Sequence, residues 1–183
     1  MSTERITRNI VLIGFASSGK TATGTALASL TGFAQVDLDC EVERIYRQTR
    51  DSSLTCREIF RSQGEEVFSA LEELALRELV ARKGMILSTG GHAPVPAQNR
   101  PLIVGLGTVV YLRANLKTIV ERMHTKGIPA SMANQNMEQL WHLRDSVYRS
   151  IAQVTIDNST LDPAATAQAI IDEILAKPWE TKE

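Results

Sequence analysis

The sequence predicts an α/β fold: a parallel sheet covered by helices on both faces, three layers in all. Three observations carry that prediction. Short apolar runs alternate with longer stretches of helical period along the chain, as expected of strands buried on both faces and joined by crossover helices. The first run, Ile10–Ile13, leads into Gly14-x-x-x-x-Gly19-Lys20-Thr21, the strand–turn–helix context of a phosphate-binding loop. The 183 residues are 43% hydrophobic and 22% charged, ordinary for a globular chain and suited to one domain over 1–183.

Ile10–Ile13 is the first strand, and the helix after it is expected over Thr21–Leu30. Gly14 and Gly19 permit backbone conformations that a Cβ would forbid. Loop N–H groups can then surround a phosphate at the positive end of a helix. Nucleotide contacts are expected from Gly14, Ser17, Ser18, Gly19, Lys20, Thr21 and Ala22. Lys20 would neutralise the β- and γ-phosphates, and Thr21 would offer its hydroxyl to Mg²⁺.

Ala34–Asp37 is the second strand, followed by a helix over Glu41–Gln48. The strand reads on into Asp37-Leu38-Asp39, where alternation puts both carboxylates on one face. Next to a bound nucleotide, one carboxylate suits Mg²⁺ and the other suits a base that takes a hydroxyl proton. A helix over Glu65–Lys83 follows, with an apolar face of Val67, Leu71, Leu74, Leu76, Leu79 and Val80. Met85–Ser88 is the third strand and opens into Thr89-Gly90-Gly91-His92. Its two glycines let backbone amides approach a ligand, and His92 stands on the substrate side.

Thr108–Leu112 is the fourth strand, with helices over Leu116–His124 and Met137–Arg149 after it. The glycine-, proline- and polar-rich stretch between those helices, about 124–136, suits a lid. Arg122 before it and Arg144 after it are each able to meet a phosphate or carboxylate. Val154–Asp157 is the fifth strand, and Asp162 caps a last helix over Pro163–Ala176. Parallel sheets bind ligands beyond the carboxyl ends of their strands. The phosphate loop, the two aspartates and the double glycine all fall there.

The net charge of −1 gives no basic surplus for nucleic acid or an anionic membrane. Cys40 and Cys56 form no C-x-x-C and no metal-ligand cluster, which fits reduced thiols. The polar start and the short first apolar run argue against a signal peptide or membrane span. The expectation is a cytoplasmic protein that acts as a monomer on a small molecule.

Taken in order, these motifs resemble the shikimate kinases, over about residues 8–177. The matching features are Gly14–Gly24, Asp37 and Asp39, Glu58-Ile59-Phe60, Gly64-Glu65, Phe68, Glu72, the glycines after strand three, Val109–Leu112, and Arg144 with Tyr148. The resemblance implies a P-loop kinase fold with a central five-stranded parallel sheet, a lid, and substrate-binding helices at about 39–80. It implies ATP and Mg²⁺. Lys20 and Thr21 would serve the phosphates and metal, and Asp37 would hold Mg²⁺ through water. Asp39 would bind the acceptor hydroxyl and act as its base. Gly90 and Gly91 would face the acceptor, Arg144 would pair with its carboxylate, and Arg122 would stack near the adenine.

The chain departs from that pattern at four places. Ser69 stands where the family has a carboxylate-gripping arginine, His92 stands for the third glycine, and Ile128 stands for the lid arginine. Several residues are inserted around Arg50–Thr55. Lys126 is a candidate to replace the lid charge, and Arg57 or Arg61 the other. Three readings stay open on this sequence. One is a kinase of shikimate or a related hydroxy acid or polyol. Another is a nucleotide-binding relative without that activity, acting on another substrate or through a partner. The third is a nucleotide kinase or GTPase, disfavoured because N-K-x-D is absent and strand three ends in Ser88.

Overall fold

The computed structural model describes residues 6–50, 52–127, 132 and 135–177. Five parallel strands lie in the order β2-β3-β1-β4-β5. They are β1 (Ile10–Ile13), β2 (Ala34–Asp37), β3 (Met85–Ser88), β4 (Thr108–Arg113) and β5 (Val154–Asp157). The two-residue period divides β1 between two cores. Ile10 and Leu12 join Leu27, Ala167 and Ile170 under α1 (Lys20–Thr31) and α7 (Pro163–Ala176). Val11 and Ile13 join Ile59, Leu76, Ile103, Ile119 and Tyr148 on the opposite face. That face carries α2 (Leu38–Arg50), α3 (Cys56–Leu79), α4 (Asn99–Leu106), α5 (Leu116–Lys126) and α6 (Met137–Ile151). The three-layer α/β/α arrangement is the predicted one.

Three elements differ from the sequence reading. Helix α3 starts nine residues early, at Cys56 rather than Glu65, because Thr55 and Glu58 form a reciprocal capping box. Gly64 then breaks the helix (φ 84°, ψ 174°), so Glu65 does begin a segment of its own. Beyond the break, Leu74 and Val80 are 41% and 51% exposed, and the buried positions are Phe68, Glu72, Ala75, Leu76 and Leu79. The predicted apolar face is thus rotated toward a buried carboxylate. Helix α4 has no counterpart in the sequence reading. Pro101 and Gly105 mask its period, yet Pro101 falls in the first turn, where a missing N–H costs nothing.

The aspartate pair is the third correction. β2 ends at Asp37, and Asp39 lies in the first turn of α2, so the two carboxylates do not share a strand face. Asp37 Oδ1 accepts the Asp39 N–H at 3.0 Å. A carboxylate at a helix start is favoured by the free amides there, which ends the strand one residue after the valine.

Two polar ties position the site. Asn9, 3% exposed, donates to the carbonyls of Arg82 and Leu106 and accepts from Met85 N–H. Tyr111 Oη and Arg113 Nε both donate to Asp145 Oδ1, at 2.8 and 3.1 Å, and so seat α6 on β4. Among the described residues no helix is long and apolar enough to cross a membrane.

Candidate active site

A cavity of about 350 Å³ opens at the carboxyl ends of β1, β2 and β3. Strand β1 sits where the chain's course through the sheet reverses, the place where open α/β sheets hold ligands. The phosphate loop leaves β1 there. At Gly14, φ is 149°, and a Cβ would lie 2.6 Å from the Leu112 carbonyl oxygen. Ser17 takes a left-handed φ of 60°, a strained state for a residue with a side chain. Gly19 (φ 98°) then starts α1. Lys20 Nζ donates to the Gly14 and Phe15 carbonyls at 2.9 and 2.8 Å. Thr21 Oγ1 donates to Asp37 Oδ2 at 3.2 Å.

Of the predicted nucleotide residues, Ser17, Lys20 and Thr21 line the cavity. Ser18 is fully buried beneath the loop, with no hydrogen-bond partner for Oγ among the described residues. Ala22 is exposed on the first turn of α1. Arg122 lies against the loop rather than in the cavity, donating to the carbonyls of Ser18 (3.4 Å) and Asn158 (3.1 Å). Asn158, 3% exposed, also donates to the Ser18 carbonyl, at 2.6 Å. Sequence reasoning missed it. It follows β5 directly, so the strand-end rule that found the other residues would have found this one.

The acceptor side forms around Asp39, Gly90, Gly91, His92 and Arg144, all lining the same cavity. A Cβ at Gly90 would lie 2.9 Å from Asp39 Oδ1 and 3.5 Å from Glu72 Oε1, so a side chain there would press on the Asp39 carboxylate. Burial, then the charges of Asp37 and Glu72, push the Asp39 carboxyl up to about 6. Arg144 is 3% exposed. Its Nη1 donates to the Gly91 carbonyl at 3.4 Å, and its guanidinium lies 5.6 Å from the Phe15 ring centre. Its Nε has no hydrogen-bond partner among the described residues. Tyr148, one turn further along α6, donates to the same Gly91 carbonyl at 2.6 Å. The R-x-x-x-Y spacing puts both on one helix face.

Of the two arginines offered for the missing charge, Arg57 lines the cavity, its guanidinium beside Gly127. Arg61 is exposed and not among the lining residues. Cys56 donates its thiol to the Asp39 carbonyl, and burial followed by the Asp39 charge pushes that thiol up. Cys40 and Cys56 are both free. In the predicted lid, Met132 is buried and lines the cavity. Ile128, Pro129, Ala130, Ser131, Ala133 and Asn134 lie outside the described residues, as do the Lys126 side chain and Asp51 of the insertion.

The donor set fits Mg²⁺ beside a polyphosphate. That ion takes one or two carboxylates, a hydroxyl and phosphate oxygens rather than an all-protein cage. Thr21 and Asp37 supply the hydroxyl and a carboxylate from two elements, already in contact.

A lysine-bearing phosphate loop whose first helical turn meets a carboxylate from the end of another strand of the sheet is common to P-loop kinases, and this fold belongs to that class. The family model described as shikimate kinase matches residues 16–175. The shikimate kinase of Chromobacterium violaceum is 32% identical over 184 residues, covering 98% of this chain and 97% of the relative. The structure of shikimate kinase from Acinetobacter baumannii in complex with shikimate superposes with a TM-score of 0.83 at 35% identity, covering 92% of this chain and 93% of that one. Shikimate kinase from Aquifex aeolicus, 23% identical, shares the fold with a TM-score of 0.74 over 92% of this chain. This chain belongs to the shikimate kinase family, whose members are ATP- and Mg²⁺-dependent phosphotransferases with an alcohol acceptor.

Proposed function

We propose that this protein transfers the γ-phosphate of ATP to a hydroxyl of shikimate, with the roles of its residues divided across the one cavity. Lys20 leaves its two loop carbonyls to meet the phosphates, and the amides of Gly14–Ala22 cradle them. Thr21 and Asp37 hold Mg²⁺, whose charge offsets that of the phosphates. Arg122 lies beside the adenine end. Asp39 accepts the proton of the acceptor hydroxyl as its oxygen bonds to the γ-phosphorus and ADP departs. A carboxylate with its pKa raised to about 6 is ionised at neutral pH yet basic enough for that task. Arg144 and Arg57 take the acceptor carboxylate, with the Gly90 and Gly91 amides and the His92 ring as the wall around it.

The observation that carries this reading is that Lys20, Asp39 and Arg144 line one cavity. Helices α2 and α3 supply its acceptor side, and residues 124–136 act as its lid within one domain. Lys20, Asp39 and Arg144 come from a single copy of the chain, which supports action as a monomer, and the net charge of −1 supports a small-molecule substrate over nucleic acid. The free thiols support a cytoplasmic location. The test is ATP consumption with shikimate beside a panel of hydroxylated acids and polyols. Mg²⁺-dependent turnover with shikimate is expected, and turnover with none of the panel would reject the function.

A further inference from the structure

We infer that His92 is the positioning residue of the acceptor side: its ring joins Glu65 and Glu72 through a retained proton, clasps the second segment of α3 to the β3 loop, and thereby sets the oxygen that Glu72 presents to the acceptor. The last clause rests on the acceptor site proposed above, whereas the clasp itself does not.

His92 Nδ1 lies 3.0 Å from Glu72 Oε2, and Nε2 lies 3.1 Å from Glu65 Oε1. Ionised carboxylates only accept, and a neutral imidazole has a single N–H. Both contacts therefore hold only with one proton more than a neutral imidazole and two carboxylates contain. The ring and Glu72 are buried, at 7% and 1% side-chain exposure, while Glu65 is 68% exposed. An unpaired carboxylate at the Glu72 site would be costly. The charged groups around the ring are Glu65 and Glu72 from α3 and Arg144 from α6. Burial and Arg144 work against protonating His92, and the two glutamates outweigh them, so its pKa is raised. Burial also raises Glu72, so the pair keeps its shared proton.

Two further facts give the clasp its function. Glu65 follows the Gly64 break directly, so His92 grips the segment at its first residue. With Oε2 held by His92, Glu72 Oε1 has no hydrogen-bond partner among the described residues and lies with Asp39 Oδ1 over Gly90. Residues 65, 69 and 72 follow the i, i+4, i+7 spacing of one helix face. Ser69 is the small residue between the two clasped glutamates. An arginine there would compete with His92 for Glu72, so positions 69 and 92 are coupled.

The first test needs no substrate. His92 is titrated by NMR in the ligand-free full chain, in wild type and in Glu65→Gln, whose site is exposed enough to leave the fold intact. The expected result is a ring pKa above 6.5 in wild type that falls when Glu65 is neutralised. A wild-type ring titrating at or below 6.5, or one indifferent to Glu65→Gln, overturns the clasp.

The second test is a kinetic cycle over Ser69→Arg, His92→Gly and the double variant. Losing a charge-assisted hydrogen bond is worth roughly tenfold or more. Each single change is expected to raise the acceptor KM by about that factor with the ATP KM unchanged, and the double variant to recover most of the loss. Additive effects, or an unchanged acceptor KM in His92→Gly, overturn the positioning role. A wild type that turns over no shikimate would reject the proposed activity, and the titration would still decide the clasp.

Discussion

Asp39→Asn should stabilise the fold at neutral pH while removing activity. The Asp39 carboxyl is half-buried beside Asp37 and Glu72, and its pKa rises from 3.8 in the unfolded chain to about 6. A raised carboxyl pKa contributes stability below about pH 3.8 that is lost as pH rises through 6. The rise from 3.8 to about 6 corresponds to about 3 kcal/mol at pH 8. That figure already contains the attraction of Lys20, which opposes the shift. The neutral amide removes the penalty. In metal-free, nucleotide-free buffer the Tm of Asp39→Asn should exceed that of wild type by roughly 6–12 °C at pH 8. The gain should shrink to about 0.5 kcal/mol by pH 4, where Asp39 is protonated in the fold and half-protonated outside it. Turnover should fall by about 10²–10⁴ with ATP binding kept. A variant no more stable than wild type at pH 8, or a gain that stays level down to pH 4, refutes the electrostatic account of this base.

Lys20→Ala should lower kcat by at least ~10³, since it removes the cation that meets the transferring group in the proposed mechanism. The two carbonyl contacts it makes are worth only about 1–3 kcal/mol, so circular dichroism should show a folded protein. Arg57→Ala should raise the acceptor KM about tenfold, and Arg61→Ala should leave it unchanged; equal effects would remove Arg57 from the acceptor site. Asn9→Ala strands two carbonyls and an N–H at the foot of the sheet. It should cost about 2–4 kcal/mol in chemical denaturation with KM values intact, and a smaller loss would mean that water replaces the amide.

The strand–turn–helix of the phosphate loop was legible because its signature is local: one strand, two glycines, a lysine and a threonine in sequence. Strands β1, β3 and β4 were legible for the same reason, since a strand buried on both faces must be a continuous apolar run; the edge strands β2 and β5 carry polar residues and were read from shorter runs. The first half of α3 escaped although Thr55-x-x-Glu58 marks its start, because its apolar period is weak. Helix α4 escaped because proline and glycine were read as breakers. The Asp37/Asp39 pair was found for a reason that the structure replaces: a helix cap rather than a strand face brings the two together.

The sequence by itself determined the layered α/β class, the strand–turn–helix of the phosphate loop and the family, all of which follow from short-range order along the chain. Tertiary structure alone decided what the departures mean. Positions 69 and 92 lie far apart in the chain and read as two separate losses. In the fold, His92 spans Glu65 and Glu72 across the face that holds Ser69, and the two become one arrangement. Arg57 and Arg61 are indistinguishable as letters; both are exposed on one face of α3, and only Arg57, one turn nearer its start, lies close enough to line the cavity. Which charges meet depends on packing between elements, and no local spacing encodes it.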